Sequence, residues 1–217
     1  MKRYVLSLAV FGALALASVP VPCDPPSRAI PLPMGASPVF DVDPTQSTVT
    51  FRIRREGEPS EGSFERFTGH VSGDLKKSKL DVISLLIDSA SVTTGNAERD
   101  DLLKSPALLD VEEHQRIRFR TDTIRHIEDK KYEISGKLDL HGVRRKVTLA
   151  MTFSGIRKNS EGSDTARIEI RGTLKRRDWG LDWNRTLEDG SKLLADTVEV
   201  EIVLLLNRRM KDKVFEP

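Results

Sequence analysis

The residues to weigh first for chemistry are the four histidines, His70, His114, His126 and His141. None of them shows an HxH or HExxH spacing, and no carboxylate joins them in a ligand pattern, so no metal ligands are predicted. His141, Asp139 and Ser135 have the right types for nucleophilic catalysis. A nucleophile must touch its base, however, and the base must touch the group that orients it. The alternation of YEISGKLDL puts Ser135 and Asp139 on the polar face of one strand, several residues apart. GxSxG and Walker-type loops are absent as well, so no catalytic residue is predicted and the chain is not read as an enzyme. His141 and Gly142 are read as a turn, with the imidazole hydrogen-bonding that turn. Trp179 and Trp183 of RRDWGLDWN are read as an apolar plug in preference to a ligand contact, because tryptophan buries so much area.

The elements that must position these groups are strands. In STVTFRIR, Val49, Phe51 and Ile53 share one face and Arg52 and Arg54 the other. The same period of two runs through RIRFRTD, YEISGKLDL, KVTLAMTF, ARIEIRGTL and DTVEVEIVLLL. One apolar face and one solvated face mark antiparallel sheet. Eight strands are predicted, near 48–54, 63–75, 80–90, 115–123, 131–140, 145–155, 165–175 and 196–206. Their links are short and rich in turn residues, which makes a meander, and eight such strands can close into a barrel without edges. A barrel of that size is either filled by its side chains or holds one small ligand. Ala166, Gly136 and Gly172 on the inward face are small and favour a hollow. They are equally explained by relief of crowding where strands bend.

Composition bounds the rest. With 38% hydrophobic and 31% charged residues in 217, the chain is a globular domain and neither disordered nor a membrane bundle. The net charge of +2 includes Lys2 and Arg3 at the extreme N-terminus. Without those two, cations equal the 33 acidic residues, and no basic footprint for nucleic acid is left. Lys2 and Arg3 precede the apolar run 5–17, which ends in Ala15-Leu16-Ala17, so residues 1–17 read as a signal peptide. The run is shorter than the roughly 20 residues of a membrane span. Seven of the 11 prolines fall in 18–38, which reads as an extended tether. The single cysteine, Cys23, excludes an internal disulfide and leaves lipid attachment at that thiol as a minority reading, against which Pro22 argues. The domain is set at 39–206, with a tail at 207–217.

Two long runs carry a resemblance. ASVTTGNAERDDLLKSPALLDVEEHQRIRFRTD, followed by GKLDLHGVRRKVTLAMTFSG, resembles the YceI-like family of secreted or periplasmic proteins associated with polyisoprenoid binding. FERFTGHVSGDL and RRDWGLDWN resemble further family segments, and the likeness covers 39–206. The chain departs from the family by reading RIRREGE where a histidine is common, Leu108-Leu109 where Phe-Phe is common, and QRI where a proline is common. The second change exchanges aromatic for aliphatic filling.

The resemblance implies an all-β, lipocalin-like barrel of eight antiparallel strands, one short helix between strands, and a long apolar pocket for an isoprenoid chain. Its ligand would be a polyisoprenoid or an isoprenoid quinone, carried without catalysis or cofactor. A periplasmic or secreted location and a transient contact with a membrane surface would go with it. Chain length, head group and oligomeric state stay open. The inward residues expected to line the pocket are Phe51, Ile53, Phe119, Leu138, Leu149, Met151, Phe153, Ile168 and Ile170. Residues 96–103 are expected to form the helix, with Asn96 as N-cap and the Leu102, Leu103, Leu108 and Leu109 side chains covering a barrel end. Arg99 and Asp100 are expected to pin it structurally. The alternative is a filled barrel that acts as an interaction module through outward arginines (Arg116, Arg118, Arg120, Arg167 and Arg171).

Overall fold

The computed structural model describes residues 37–208, apart from 56–58, 160, 161, 163 and 191. The expected signal peptide, Cys23, nearly all of the tether and residues 209–217 lie outside the described residues. Within them the chain forms eleven strand segments and one helix. The strands are β1 (Val39–Val42), β2 (Thr48–Arg55), β3 (Ser60–Phe64), β4 (Phe67–Asp74), β5 (Lys79–Asp88) and β6 (Val92–Thr93). After the helix α1 (Ala97–Lys104) come β7 (Arg116–Glu128), β8 (Lys131–Leu140), β9 (Val143–Lys158), β10 (Asp164–Lys175) and β11 (Leu194–Arg208). Every pairing is antiparallel. The hydrogen-bonded order runs β1-β4-β5-β7-β8-β9-β10-β11, and β1 also pairs with β11, so the sheet closes. Among the described residues, no helix is long and apolar enough to cross a membrane.

Eleven segments make eight barrel strands because three strands are broken. The breaks fall at 43–47, at Glu65-Arg66, and at the 3₁₀ turn Ser89–Ser91. They lie side by side. Glu65 N–H donates to the Ser91 carbonyl at 3.1 Å and Asp88 N–H to the Arg66 carbonyl at 2.9 Å, while Arg66 and Asp88 form an ion pair at 3.0 Å. This fold line crosses the sheet and separates β1-β4-β5 from β2-β3-β6. On its far side β2 continues along β11 through Val49↔Ile202 and Phe51↔Val200. The expected single strand 63–75 is thus two, β3 and β4, and the expected strand 80–90 ends in the turn at 89–91. β1 was not foreseen, because four residues are too few to display a period. The expected tail begins inside β11, which runs to Arg208.

The helix forms where the residues dictate. Asn96 caps it through its side-chain oxygen, which accepts from Arg99 N–H at 3.0 Å, and Glu98 and Asp100 stand in its first turn. It buries none of its residues fully and bridges the gap between β6 and β7.

Candidate functional site

The barrel is filled at one end and hollow at the other. Val71, Ile83, Ile134, Met151, Phe153, Ile168, Ile170, Leu204 and Leu206 are almost wholly inaccessible, and Tyr132 and Phe153 pack edge to face at 6.5 Å. Beyond them lies a cavity of about 340 Å³. Its wall takes Phe119 from β7, Leu138 from β8, Leu149 from β9, Val200 from β11, and Phe51 and Ile53 from β2. Of the nine residues expected to line a pocket, Phe51, Ile53, Phe119, Leu138 and Leu149 do so. Met151, Phe153, Ile168 and Ile170 do not border this cavity and are buried in the packed part of the barrel. The register sets Met151 between Tyr132 and Ile170, and Ile168 beside Phe153, so large buried side chains stand next to one another along this part of the wall.

The fold line explains the hollow. Val49, Phe51, Ile53, Ser60, Phe64 and Thr94 all come from chain beyond the three breaks. The small inward residues have a different function. A Cβ on Gly136 would lie 2.3 Å from the Arg120 carbonyl oxygen, and one on Gly172 would lie 2.4 Å from a Leu149 methyl. These glycines admit a close backbone and a neighbouring side chain, which is the crowding explanation, and neither they nor Ala166 face the cavity.

One end of the cavity is closed by α1 and the chain after it. Leu102 and Leu103 of the helix and the buried Leu108 and Leu109 all line it. Asp100 holds the helix to β6. Its carboxylate accepts from Thr94 N–H and Thr94 Oγ at 2.7 Å each and from Thr93 Oγ at 2.9 Å. The Thr94 contacts foremost hold its pKa below the usual carboxylate value. Arg99 donates to Thr94 Oγ at 3.2 Å and to the Thr94 carbonyl at 3.4 Å, and it also borders the cavity.

Against the chain that follows α1 stands a cluster of turns. His141 and Gly142 are the two loop residues of the β8–β9 hairpin, with φ of 50° and 71°, as a type I′ turn requires. His141 does not bond its own turn as expected. Its Nδ1 meets the Trp179 carbonyl oxygen at 3.0 Å and so ties the hairpin to the 3₁₀ turn Arg176–Trp179. The Trp179 indole is buried, lines the cavity and donates to the Leu138 carbonyl at 3.4 Å, so it walls the hollow while also serving as a plug. His114 stacks edge to face on His141 at 4.7 Å. With Asp110 these two histidines offer polar side-chain atoms all within 4.8 Å of one another. The spacing of the residues could not reveal this group, because only the fold brings 110–114 against the hairpin.

Arg176 is the residue that sequence reasoning missed. Only 4% of it is exposed, and it lines the cavity. Its Nε donates to the Ala195 carbonyl at 3.0 Å, and its Nη1 to the carbonyls of Leu181 and, at 2.9 Å, Trp183. Its Nη2 is buried without a hydrogen-bond partner. Burial, with Arg177 nearby, pushes the guanidinium below its ordinary pKa. The available signal was the Arg-Arg pair of RRDWG, whose first member continues the inward face of β10.

The outward arginines are largely engaged. Arg116 meets Asp88 at 3.6 Å, Arg167 meets Glu169 at 3.0 Å, and Arg171 meets Glu201 at 2.6 Å. This is a solvated face with both signs interspersed, and exposed pairs of this kind stabilise little.

Comparison with known proteins agrees with this geometry. The model of the YceI-like domain matches residues 40–206. The UPF0312 protein SA2479 of Staphylococcus aureus is 31% identical over 165 residues, which is 75% of this chain and 93% of that protein. Among solved structures, Burkholderia cenocepacia BcnA superposes with a TM-score of 0.64 at 22% identity, covering 76% of this chain and 98% of that one. The Campylobacter jejuni YceI protein gives 0.65 at 20% identity, over 72% and 90%. A polyisoprenoid binding domain from Saccharophagus degradans gives 0.57 at 20% identity, over 78% and 98%. At these identities the structural likenesses speak for the fold, while the domain match spans most of the chain, and the protein belongs to the YceI-like family.

Proposed function

We propose that the protein binds and carries an isoprenoid-type lipid, polyisoprenoid or isoprenoid quinone, with the chain in the hollow end of the barrel and no bond made or broken. The observation that carries this reading is the cavity itself. It is walled by Leu, Ile, Val, Phe and Trp side chains in a barrel whose other half is packed solid. A branched hydrocarbon is the chemistry such a wall selects. An apolar cavity of about 150 Å³ holds one benzene ring, so 340 Å³ takes roughly a dozen carbons, about two to three isoprene units. The polyisoprenoid binding domain with the same fold supports the choice of chain.

Each CH₂ removed from water contributes about 0.8 kcal/mol. A lipid in a bilayer already has that burial, so exchange between membrane and barrel lies near balance, as loading and unloading require. On this reading the ligand alone occupies the cavity, without a cofactor. The N-terminal run directs the chain to the periplasm or outside the cell, where it meets membrane surfaces transiently.

The test is solvent extraction and mass spectrometry of protein purified after expression with its own N-terminal segment. One isoprenoid species near one per chain is the expected result. Trace, heterogeneous lipid, together with failure to take up a panel of isoprenoids, refutes the reading.

A further inference from the structure

We propose that Asp110, His114 and His141 form a binding site for one divalent cation of the zinc class, and that the bound ion clasps the chain after α1 to the barrel. The inference is independent of the lipid-binding reading. The fold brings the three residues together from two places. His114 N–H donates to the Asp110 carbonyl at 2.7 Å, so one hydrogen-bonded turn sets Asp110 and His114 side by side. The β8–β9 hairpin supplies His141, whose ring meets that of His114 edge to face at 4.7 Å. Each residue offers one ligand atom, and these atoms lie within 4.8 Å of one another. Two imidazoles and a carboxylate are a set that zinc takes, with water in the fourth position of a tetrahedron. Calcium and magnesium prefer oxygen ligands and do not match it. All three side chains are half-buried, so an ion can reach them from water.

Two observations separate this group from a chance meeting of polar side chains. The first is how His141 is held. Its Nδ1 lies 3.0 Å from the Trp179 carbonyl oxygen, which can only accept, so in the neutral ring Nδ1 carries the proton and Nε2 keeps its lone pair. A metal-ligating histidine is almost always fixed in this way, by its other nitrogen on a carbonyl or carboxylate. The second is what the other two side chains lack. Among the described residues the Asp110 carboxylate forms no hydrogen bond or ion pair, and the His114 ring touches His141 and Gly142 without a hydrogen bond. Gly142 makes room for that ring, since a Cβ there would fall 2.8 Å from its Cε1. Ligand atoms around zinc stand about 3.3–3.6 Å apart in a tetrahedron. Binding therefore draws the Asp110 carboxylate inwards, and no bond has to break for it to move. The ion then acts as a clasp. Leu108 and Leu109, immediately before Asp110, are buried and help to close the cavity. His141 belongs to the hairpin and is tied to the 3₁₀ turn Arg176–Trp179. An ion shared between them binds the folded chain alone and so stabilises it by mass action.

The test uses untagged full-length protein, stripped with a chelator and titrated with zinc chloride, read by calorimetry and by thermal melting. One zinc per chain is expected, with a Kd of about 1 µM or below. Millimolar calcium or magnesium should leave that binding unchanged. Zinc at about a hundred times Kd should raise the melting temperature by about 5–10 °C. Asp110→Asn and His114→Gln should each weaken zinc binding at least about tenfold, and the double variant should lose it. Asparagine accepts the φ of 45° at position 110, and neither native side chain has a hydrogen bond to lose, so these variants should keep the wild-type melting temperature without zinc. If the double variant fails to fold, Asp110→Asn decides alone. No uptake by wild type at about 100 µM zinc overturns the site. Uptake that the variants retain at full affinity also overturns it, because the ion is then held elsewhere, as at Cys23. Binding at the site without a rise in melting temperature overturns the clasp.

Discussion

Phe51 and Phe153 stand at inward positions of the same barrel, and truncating each should have opposite consequences. Phe153 is 2% exposed, packs against Tyr132 and faces Ile168 across the sheet. Phe153→Ala leaves a void in a filled region, and such changes cost about 3–5 kcal/mol because transfer and cavity terms add. Phe51 is half-buried, rests against Phe64 at 5.7 Å and over Gly62, and borders the cavity. Its truncation loses about half the transfer value of a phenyl ring, roughly 1–1.5 kcal/mol, with little added cavity cost. Lipid affinity should respond in the reverse order. Phe51→Ala removes a wall contact and should weaken binding about tenfold, the equivalent of about 1.4 kcal/mol. Phe153→Ala should leave the affinity of the folded fraction within about twofold, a change of under 0.5 kcal/mol. Urea unfolding of delipidated protein gives the first quantity, since bound lipid would stabilise the fold by mass action. Displacement of a fluorescent isoprenoid gives the second. Equal stability losses for the two variants, or a larger loss of affinity for Phe153→Ala, would refute the division of the barrel into hollow and filled ends.

Three further outcomes are expected. Asp100→Ala removes the acceptor of three hydrogen bonds that hold α1 to β6. It should destabilise by about 2–3 kcal/mol in urea, and normal stability with lost lipid binding would show Asp100 to be a ligand contact. Gly142→Ala forces a side chain into a φ of 71° with its Cβ 2.8 Å from the His114 ring. A loss of about 1–2 kcal/mol should appear as a shift of the urea midpoint. Acid should unfold the protein through its paired carboxylates. The Asp164 carboxylate has its folded pKa lowered from 3.8, first by Lys158, as do Asp100 and Asp139 through Thr94 and Arg144. A folded pKa below the unfolded one gives stability that is complete above the unfolded value and vanishes as pH falls through the folded one. The melting temperature should therefore hold down to about pH 4 and drop below it. The gap between wild type and Asp164→Asn should narrow over the same range, and a constant gap from pH 7 to pH 3 would refute the assignment.

Much of this molecule could be read from residue order. A period of two needs only the pleat, so the faces of β2, β7, β8, β9, β10 and β11 follow from the alternation of Val, Ile, Leu and Phe with charge. The helix at 97–104 follows from Asn96 and the acidic first turn, because capping is local. Short links made neighbours in sequence neighbours in space, and with that the barrel. What the residues could not reveal was where the inside is empty. Leu149 and Met151 are two residues apart on one face of one strand, yet one borders the cavity and the other is packed solid. That difference comes from breaks in three other strands, which line up only when β1 to β6 are folded side by side. It also comes from Tyr132 and Phe153, which meet across the sheet. Arg176 is a similar case. Its type is visible in RRDWG, but the loss of its solvent depends on Ala195, Leu181 and Trp183 closing over it. Pattern along a chain reports which side chains leave water. Whether they then meet one another or leave a space depends on distances between strands, and only the tertiary structure sets those.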